Sequence, residues 1–185
     1  MILRAAGRIA ARSLSHCGAS RACVAAAASV HTEAKMAEKG ITLPAYQDAL
    51  LNYVKAQRDG NLLYITLHVG QDESAVTVGG KVGEGDGLVS PEKAEALARN
   101  AGLRMLSTLS HYLDGDLDKV DQVIKVVGIV NGEPDFRGHG KVIDGCSDVL
   151  VEVLGDRGRH ARTCTGSGSL PAAVTCEMVV RVNCD

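Results

Sequence analysis

The run QVIKVVGIV, residues 122–130, constrains the fold more than any other stretch of this chain. It is nearly continuously apolar and rich in β-branched residues. It is far too short for a membrane helix, which needs about 20 apolar residues. A strand wetted on one face alternates apolar with polar side chains, so an unbroken run reads as a strand covered on both faces. The run therefore predicts a central strand. The rest of the chain must supply its neighbours in a sheet and a layer to cover it.

Two amphipathic helices are predicted to form that layer. Ser90-Pro91 opens the first, with Ser as N-cap, Pro at the first helical position and Glu92 in the first turn. Ala94, Leu97, Ala98, Ala101, Met105, Leu109 and Leu113 recur at three- and four-residue steps and make one apolar face, which ends near Asp114-Gly115. The second helix covers about residues 141–154, with Val142, Cys146, Val149, Leu150, Val153 and Leu154 as its stripe and Gly155 as its stop.

Further strands complete the sheet. NLLYIT, residues 61–66, is entered through the turn signal Asp59-Gly60. SAVTVGG, residues 74–80, is the predicted hairpin partner, and residues 79–87 form a loop. In AVTCEMVVRV, residues 173–182, alternation puts Val174, Cys176, Met178, Val180 and Val182 on one face and Thr175, Glu177, Val179 and Arg181 on the other. The order β-β-α-β-α-β predicts an α+β domain with two helices on one face of a sheet. Its core of small residues is thin, which points to further burial between subunits.

Composition excludes some functions. Net charge is -2, with no Trp and one Phe, so neither the basic footprint nor the stacking aromatics of a nucleic-acid binder are visible. The six cysteines, at 17, 23, 146, 164, 176 and 184, form no CxxC pair and no zinc spacing. They read as reduced thiols of an intracellular compartment. Arg4, Arg8, Arg12 and Arg21 punctuate an Ala- and Ser-rich start whose first acid is Glu33. That is the pattern of a mitochondrial transit peptide, expected to span residues 1–34 and to direct the chain to the matrix, with one globular domain over residues 35–185. No stretch is long and apolar enough for a membrane span, so no membrane partner is expected.

The chain lacks a GxSxG elbow, a Walker loop, HExxH and a dinucleotide fingerprint. GGKVGEGDG is glycine-rich without the Lys-Ser/Thr spacing of a P-loop. The candidates for chemistry are isolated residues. Arg159, His160 and Arg162 gather positive charge in GRHARTCTGSGSLP, residues 158–171, and an arginine there has the planar fork that holds a carboxylate. Glu177 stands in an otherwise apolar strand, where it either meets solvent, binds a partner or lies in a pocket. Cys164 beside the cations is either a lowered-pKa thiol or a structural one. From periodicity alone, a loop arginine and a carboxylate on a wet sheet face remain the simpler reading.

The segments YVKAQRDGNLLYIT, GGKVG, VVGIVNGEPDFRGHGKVIDGCSDVLVEVLGDRGRHART and SLPAAVTCEMVVRV resemble the Rid/YjgF family, the reactive intermediate deaminases, over about residues 40–185. The stretch KVIDGCSDVLVEVLGDRGRHART is similar to the family's endoribonuclease-like branch. The resemblance implies a chorismate-mutase-like fold, a homotrimer with its sites in clefts between subunits, and no metal or cofactor. It implies hydrolysis of 2-imino or enamino acids, such as 2-aminoacrylate, to 2-keto acids and ammonia. The family's carboxylate-binding Arg falls on Arg162, its last-strand Glu on Glu177 and its Tyr on Tyr53, while Cys164 matches a cleft-lining position. In that reading Arg162 clamps the substrate carboxylate, Glu177 orients a water, Tyr53 closes the pocket, and Arg159 and His160 stay at the surface.

Two departures from the family pattern stand out. Thr66-Leu67-His68 replaces the family's Ser-Gly-Gln beside the substrate; the branched Leu67 takes the place of a glycine, and His68 offers a new proton donor. Asp144 takes the place of an Asn, and would repel a carboxylate if it faced the cleft. A non-catalytic trimeric binder of small carboxylates or of a protein partner is therefore the alternative, with an endoribonuclease third.

Overall fold

The computed structural model describes residues 32–183. Residues 1–31 of the expected transit peptide, and Cys17, Cys23 and Cys184, lie outside the described residues. The elements are α1 (Thr32–Glu38), β1 (Ala56–Asp59), β2 (Leu62–Val69), α2 (Pro91–Tyr112), β3 (Val120–Val130), α3 (His139–Leu154), β4 (Ala161–Gly166) and β5 (Val174–Val182). The folded body already includes Thr32, ahead of the expected domain start at residue 35. Thr32 Oγ1 accepts from Arg157 Nη2 at 2.7 Å, and Glu33 Oε1 accepts from the Leu117 amide at 2.7 Å.

The sheet has the order β1-β2-β5-β3-β4. All neighbours are antiparallel except β3 and β4, which run parallel because α3 carries the chain back between them. The C-terminal strand β5 thus fills the gap between β2 and β3. The apolar run of β3 is central as expected, although its burial still alternates: Val123, Val126 and Val130 are buried while Val127 and Ile129 are only half-buried. Their own face of the sheet is less covered than the sequence predicted.

The expected hairpin is the main correction. Residues 74–80 form no strand; they fold back on the end of β2 through the bridge Gln71 to Thr77 and are tied to the body by the Ala173 amide, which donates to the Val78 carbonyl, and by the Asn131 side chain, which donates to the Gly80 carbonyl. The partner of β2 is β1, AQRD, closed by the tight turn at Gly60, which has φ of +58°. That strand is polar because it is an edge: only Ala56 is buried. β4 is likewise outside the predicted order β-β-α-β-α-β, because its residues, ARTCTG, are mostly polar and exposed and carry no apolar alternation.

Both helices cover one face. Ser90 caps α2, its side chain accepting from the Lys93 amide at 3.2 Å. Helices α2 and α3 cross closely because the contact is made by glycines. A Cβ at Gly145 would lie 2.1 Å from the Glu95 carbonyl oxygen, and one at Gly102 would lie 2.6 Å from Val149 Cγ1. Beneath them Met105, Leu106, Leu109, Ile143, Leu150 and Met178 are fully buried. Among the described residues, no helix packs on the opposite face. Tyr64, Lys125, Val127, Glu177 and Val179 stand there, and β4 forms one free edge.

Candidate functional site

Arg162 lies in register with Val126, whose side chain is buried beneath the helices, so Arg162 also projects to the helix side of the sheet. There its Nη1 donates to Asp144 Oδ1 at 2.8 Å and to Ser147 Oγ at 3.0 Å, both on α3. Asp144 and Ser147 are three residues apart and share one helix face. Ser147 Oγ also lies 3.1 Å from His160 Nε2, and His160 Nδ1 lies 2.6 Å from the Gly158 carbonyl oxygen. A carbonyl can only accept, so Nδ1 carries the proton and Nε2 accepts from the Ser147 hydroxyl. Donation then runs one way, from Arg162 through Ser147 to His160 and on to Gly158.

The charges in this network follow from burial and pairing. Burial opposes the charge on Arg162, but the hydrogen bond and charge of Asp144 outweigh it and raise its pKa. Burial lowers the pKa of His160, so its neutral form is favoured. His160 is therefore half-buried and bonded rather than a surface cation, which corrects the expectation; Arg159 is exposed and pairs with Asp156, as expected. Asp144 does face Arg162, but as its ion-pair partner. Cys164 sits two residues along the same face, packed against the core. Burial raises its pKa despite the pull of Arg162 in the other direction, so it is a thiol and not an activated thiolate.

Glu177 projects the other way. Its neighbours Cys176 and Met178 are buried under the helices, and Glu177 is exposed on the open face. It borders a cleft of about 410 Å³ shared with Thr66, Gln57, Tyr64 and Lys125. Within one chain, then, Arg162 and Glu177 stand on opposite faces of the sheet.

The remaining expected residues gather at the C-terminal end of β2. Tyr53 and Leu67 line a second cleft of about 670 Å³ with His68, Lys55 and Arg104. A bulge between Ile65 and His68 turns both of those side chains inward. Nδ1 of His68 is 2.7 Å from the Thr66 carbonyl and Nε2 is 2.8 Å from Thr108 Oγ1, so this ring too carries its proton on Nδ1. Burial, with help from Lys55 and Arg104, lowers the His68 pKa to about 4. It is neutral at pH 7 and holds its one proton against a carbonyl, which corrects its expected role as a new proton donor.

Sequence reasoning missed Ser147, Lys55 and Arg104. The signal for Ser147 was its three-residue step from Asp144 on a helix otherwise striped with aliphatics. Arg104 was also readable: it falls on the apolar side of α2 between Leu103 and Met105, where a charge is out of place. Among the described residues, no group of three or more His, Cys, Asp or Glu is positioned to hold a metal ion. No helix among them is long and apolar enough to cross a membrane.

Comparison with known proteins adds the ancestry. Residues 33–183 match the family model described as "YjgF/chorismate mutase-like, putative endoribonuclease". The chain is 32% identical to Protein TCP17 of Trypanosoma cruzi over 159 residues, covering 84% of this chain and 97% of that protein. It is similar to the crystal structure of Atu1372 from Agrobacterium tumefaciens, a protein of unknown function, with 32% identity and a TM-score of 0.73 over 84% of this chain and 94% of the other. A structure from Shewanella oneidensis described as a "putative endoribonuclease" shares the fold, with a TM-score of 0.75, 24% identity and coverage of 82% and 99%.

Proposed function

The chain belongs to the YjgF/chorismate mutase-like family, and from that premise we propose that it hydrolyses reactive 2-imino and enamino acids of the 2-aminoacrylate type to 2-keto acids and ammonia. The observation that carries the reading is Glu177: a carboxylate exposed on an otherwise largely apolar sheet face, with an open cleft above it. In the reaction, Glu177 takes a proton from a water as its oxygen attacks the imine carbon. That proton passes to nitrogen and gives the carbinolamine; Glu177 then moves the hydroxyl proton to the amine nitrogen, the C–N bond breaks, ammonia leaves and the carbonyl forms. An enamine first tautomerises to its imine. Free imines already hydrolyse in water, so holding substrate and water in place supplies much of the acceleration.

Arg162 is the proposed clamp for the substrate carboxylate. Asp144 and Ser147 take both hydrogens of Nη1, which leaves Nε and Nη2 for a ligand. Because Arg162 and Glu177 lie on opposite faces, the proposal requires them to meet across an interface between copies. The half-covered sheet face and the exposed Leu50 (95%) and Leu51 (77%) support such an assembly, which we take to be the homotrimer implied by the family resemblance. Tyr53, 47% exposed on the same segment as Leu50, would close the cleft there, with Thr66 and Cys164 along its walls. The basic, acid-poor start of the chain supports delivery to the mitochondrial matrix; fusing residues 1–34 to a fluorescent protein tests it, and cytosolic fluorescence would contradict it.

The test of the reaction is ammonia and keto-acid release from enzymatically generated 2-aminoacrylate. Wild-type protein is expected to accelerate it and Arg162→Ala to abolish the effect; a wild type no faster than buffer contradicts the proposal. The Arg162–Asp144 pair favours a second reading, because it already neutralises the clamp. In that reading the protein binds keto acids through Arg162 and turns nothing over. RNA cleavage is disfavoured by the net charge of -2; a nuclease activity that survives purification and vanishes with Arg162→Ala would restore it.

A further inference from the structure

Arg104 has no charge partner among the described residues, although it is only 9% exposed. Its Nη1 donates to Gln71 Oε1 and its Nη2 to Gln47 Oε1 at 2.9 Å. Both acceptors are neutral amides. Its Nε finds no acceptor at all. A guanidinium carries five N–H donors, and two are used here. Burying a cation without a counter-charge is among the least favourable arrangements in a protein. Elsewhere in the chain Arg99, Arg157, Arg159, Arg162 and Arg181 each meet a carboxylate.

The surroundings of Arg104 also favour negative charge. The cleft it lines holds a second cation, Lys55, and the neutral ring of His68. Its one acid, Asp48, is engaged locally, accepting from the Ala49 amide at 2.8 Å and from Tyr46 OH at 3.2 Å. Two amide oxygens cap the two Nη atoms, the same two donors that a carboxylate takes in an end-on arginine fork. Gln47 belongs to residues 41–55, which form no helix or strand, so its amide can give way without disturbing the sheet.

We propose that the cleft between residues 47–55, the end of β2 and α2 is an anion site in which Arg104 and Lys55 hold a small carboxylate. The incoming carboxylate replaces the Gln47 amide oxygen on Nη2 and gives the buried cation its missing counter-charge. The site shares Tyr53 and Leu67 with the proposed substrate cleft but not Arg162, which occupies the helix side of β4, and its anion is held whether or not the chain is a deaminase.

The test is thermal melting of the full chain in rising sodium acetate, against sodium chloride at matched ionic strength. Wild type is expected to gain Tm saturably in acetate and not in chloride. Gln71→Glu places a fixed carboxylate on Nη1; it is expected to melt higher than wild type in chloride and to lose the acetate response. Arg162→Gln is expected to keep that response, which separates this site from the proposed catalytic one. Lys55→Ala, half-exposed and tolerant of change, is expected to weaken the response several-fold. A wild type with no acetate-specific gain overturns the proposal. So does a Gln71→Glu protein that responds as wild type does, or an Arg162→Gln protein that has lost the response.

Discussion

Two clusters in this molecule share their parts and differ in how the arginine is paired. Each has an arginine, a neutral histidine and a hydroxyl on a helix. In each, the histidine gives its Nδ1 proton to the carbonyl two residues before it and accepts on Nε2: His160 from Ser147, His68 from Thr108. The Arg162 cluster also holds Asp144, while the Arg104 cluster holds only Gln47 and Gln71. The difference teaches which arginine is already satisfied. Arg162 has a counter-charge and keeps donors to spare, so it can bind and release an anion. Arg104 lacks one, so an anion there completes the structure.

The comparison also sets the size of expected effects. The largest are on turnover. Glu177→Gln is expected to lower kcat by about 10²-fold or more, the usual effect of removing a general base. Glu177 is exposed, so its melting temperature is expected to stay near that of wild type. Arg162→Gln is expected to abolish measurable turnover as well, because the substrate carboxylate is no longer held. Equal losses in kcat and stability for Glu177→Gln would break the assignment.

Next is a pH effect on stability from the Arg104 side. His68 has a folded pKa of about 4 against an ordinary value of 6.5. Between those values the unfolded chain binds a proton that the folded chain refuses. Stability is therefore full above pH 6.5 and falls as pH drops towards 4, by about 3 kcal/mol from this residue alone. Urea unfolding at pH 7 and pH 4.5 should show a steeper loss in wild type than in His68→Gln. A parallel loss in both would remove His68 as the cause.

The smallest effect concerns Asp144. Asn keeps the hydrogen bond to Arg162 and removes the charge. The pair is partly exposed, with side chains 28% and 39% accessible, so stability should change by less than about 1 kcal/mol. Without the competing charge, KM for an anionic substrate should fall by up to about five-fold. A rise in KM would mean that the charge of Asp144 is needed to aim Arg162.

The sequence made some of this readable and hid the rest for physical reasons. The Ser90-Pro91 cap, the stripe of α2 and the alternation of β5 are local signals, and the structure follows them. The partner of β2 was misjudged because residues 76–78 are Val-Thr-Val, good strand formers, whereas the true partner AQRD is an edge strand with little to bury. The Asp59-Gly60 turn pointed to it from the other side. For the site, alternation correctly turned Glu177 away from the core. It could not relate that face to Arg162, because the relation depends on how β4 pairs beside β3. The bulge that turns His68 inward is a register change that no periodicity announces. The family resemblance grouped Arg162 and Glu177 as partners, and the chain by itself separates them.

That separation makes the central claim testable in one measurement. Arg162→Gln and Glu177→Gln chains, each inactive alone, can be unfolded together in equal amounts and refolded as mixed assemblies. If the site is completed across an interface, intact Arg162 from one copy meets intact Glu177 from its neighbour. Deaminase activity on 2-aminoacrylate should then return to about a quarter of wild type, the random share of interfaces with both residues intact. Refolded mixtures that stay as inactive as their parents would contradict the account.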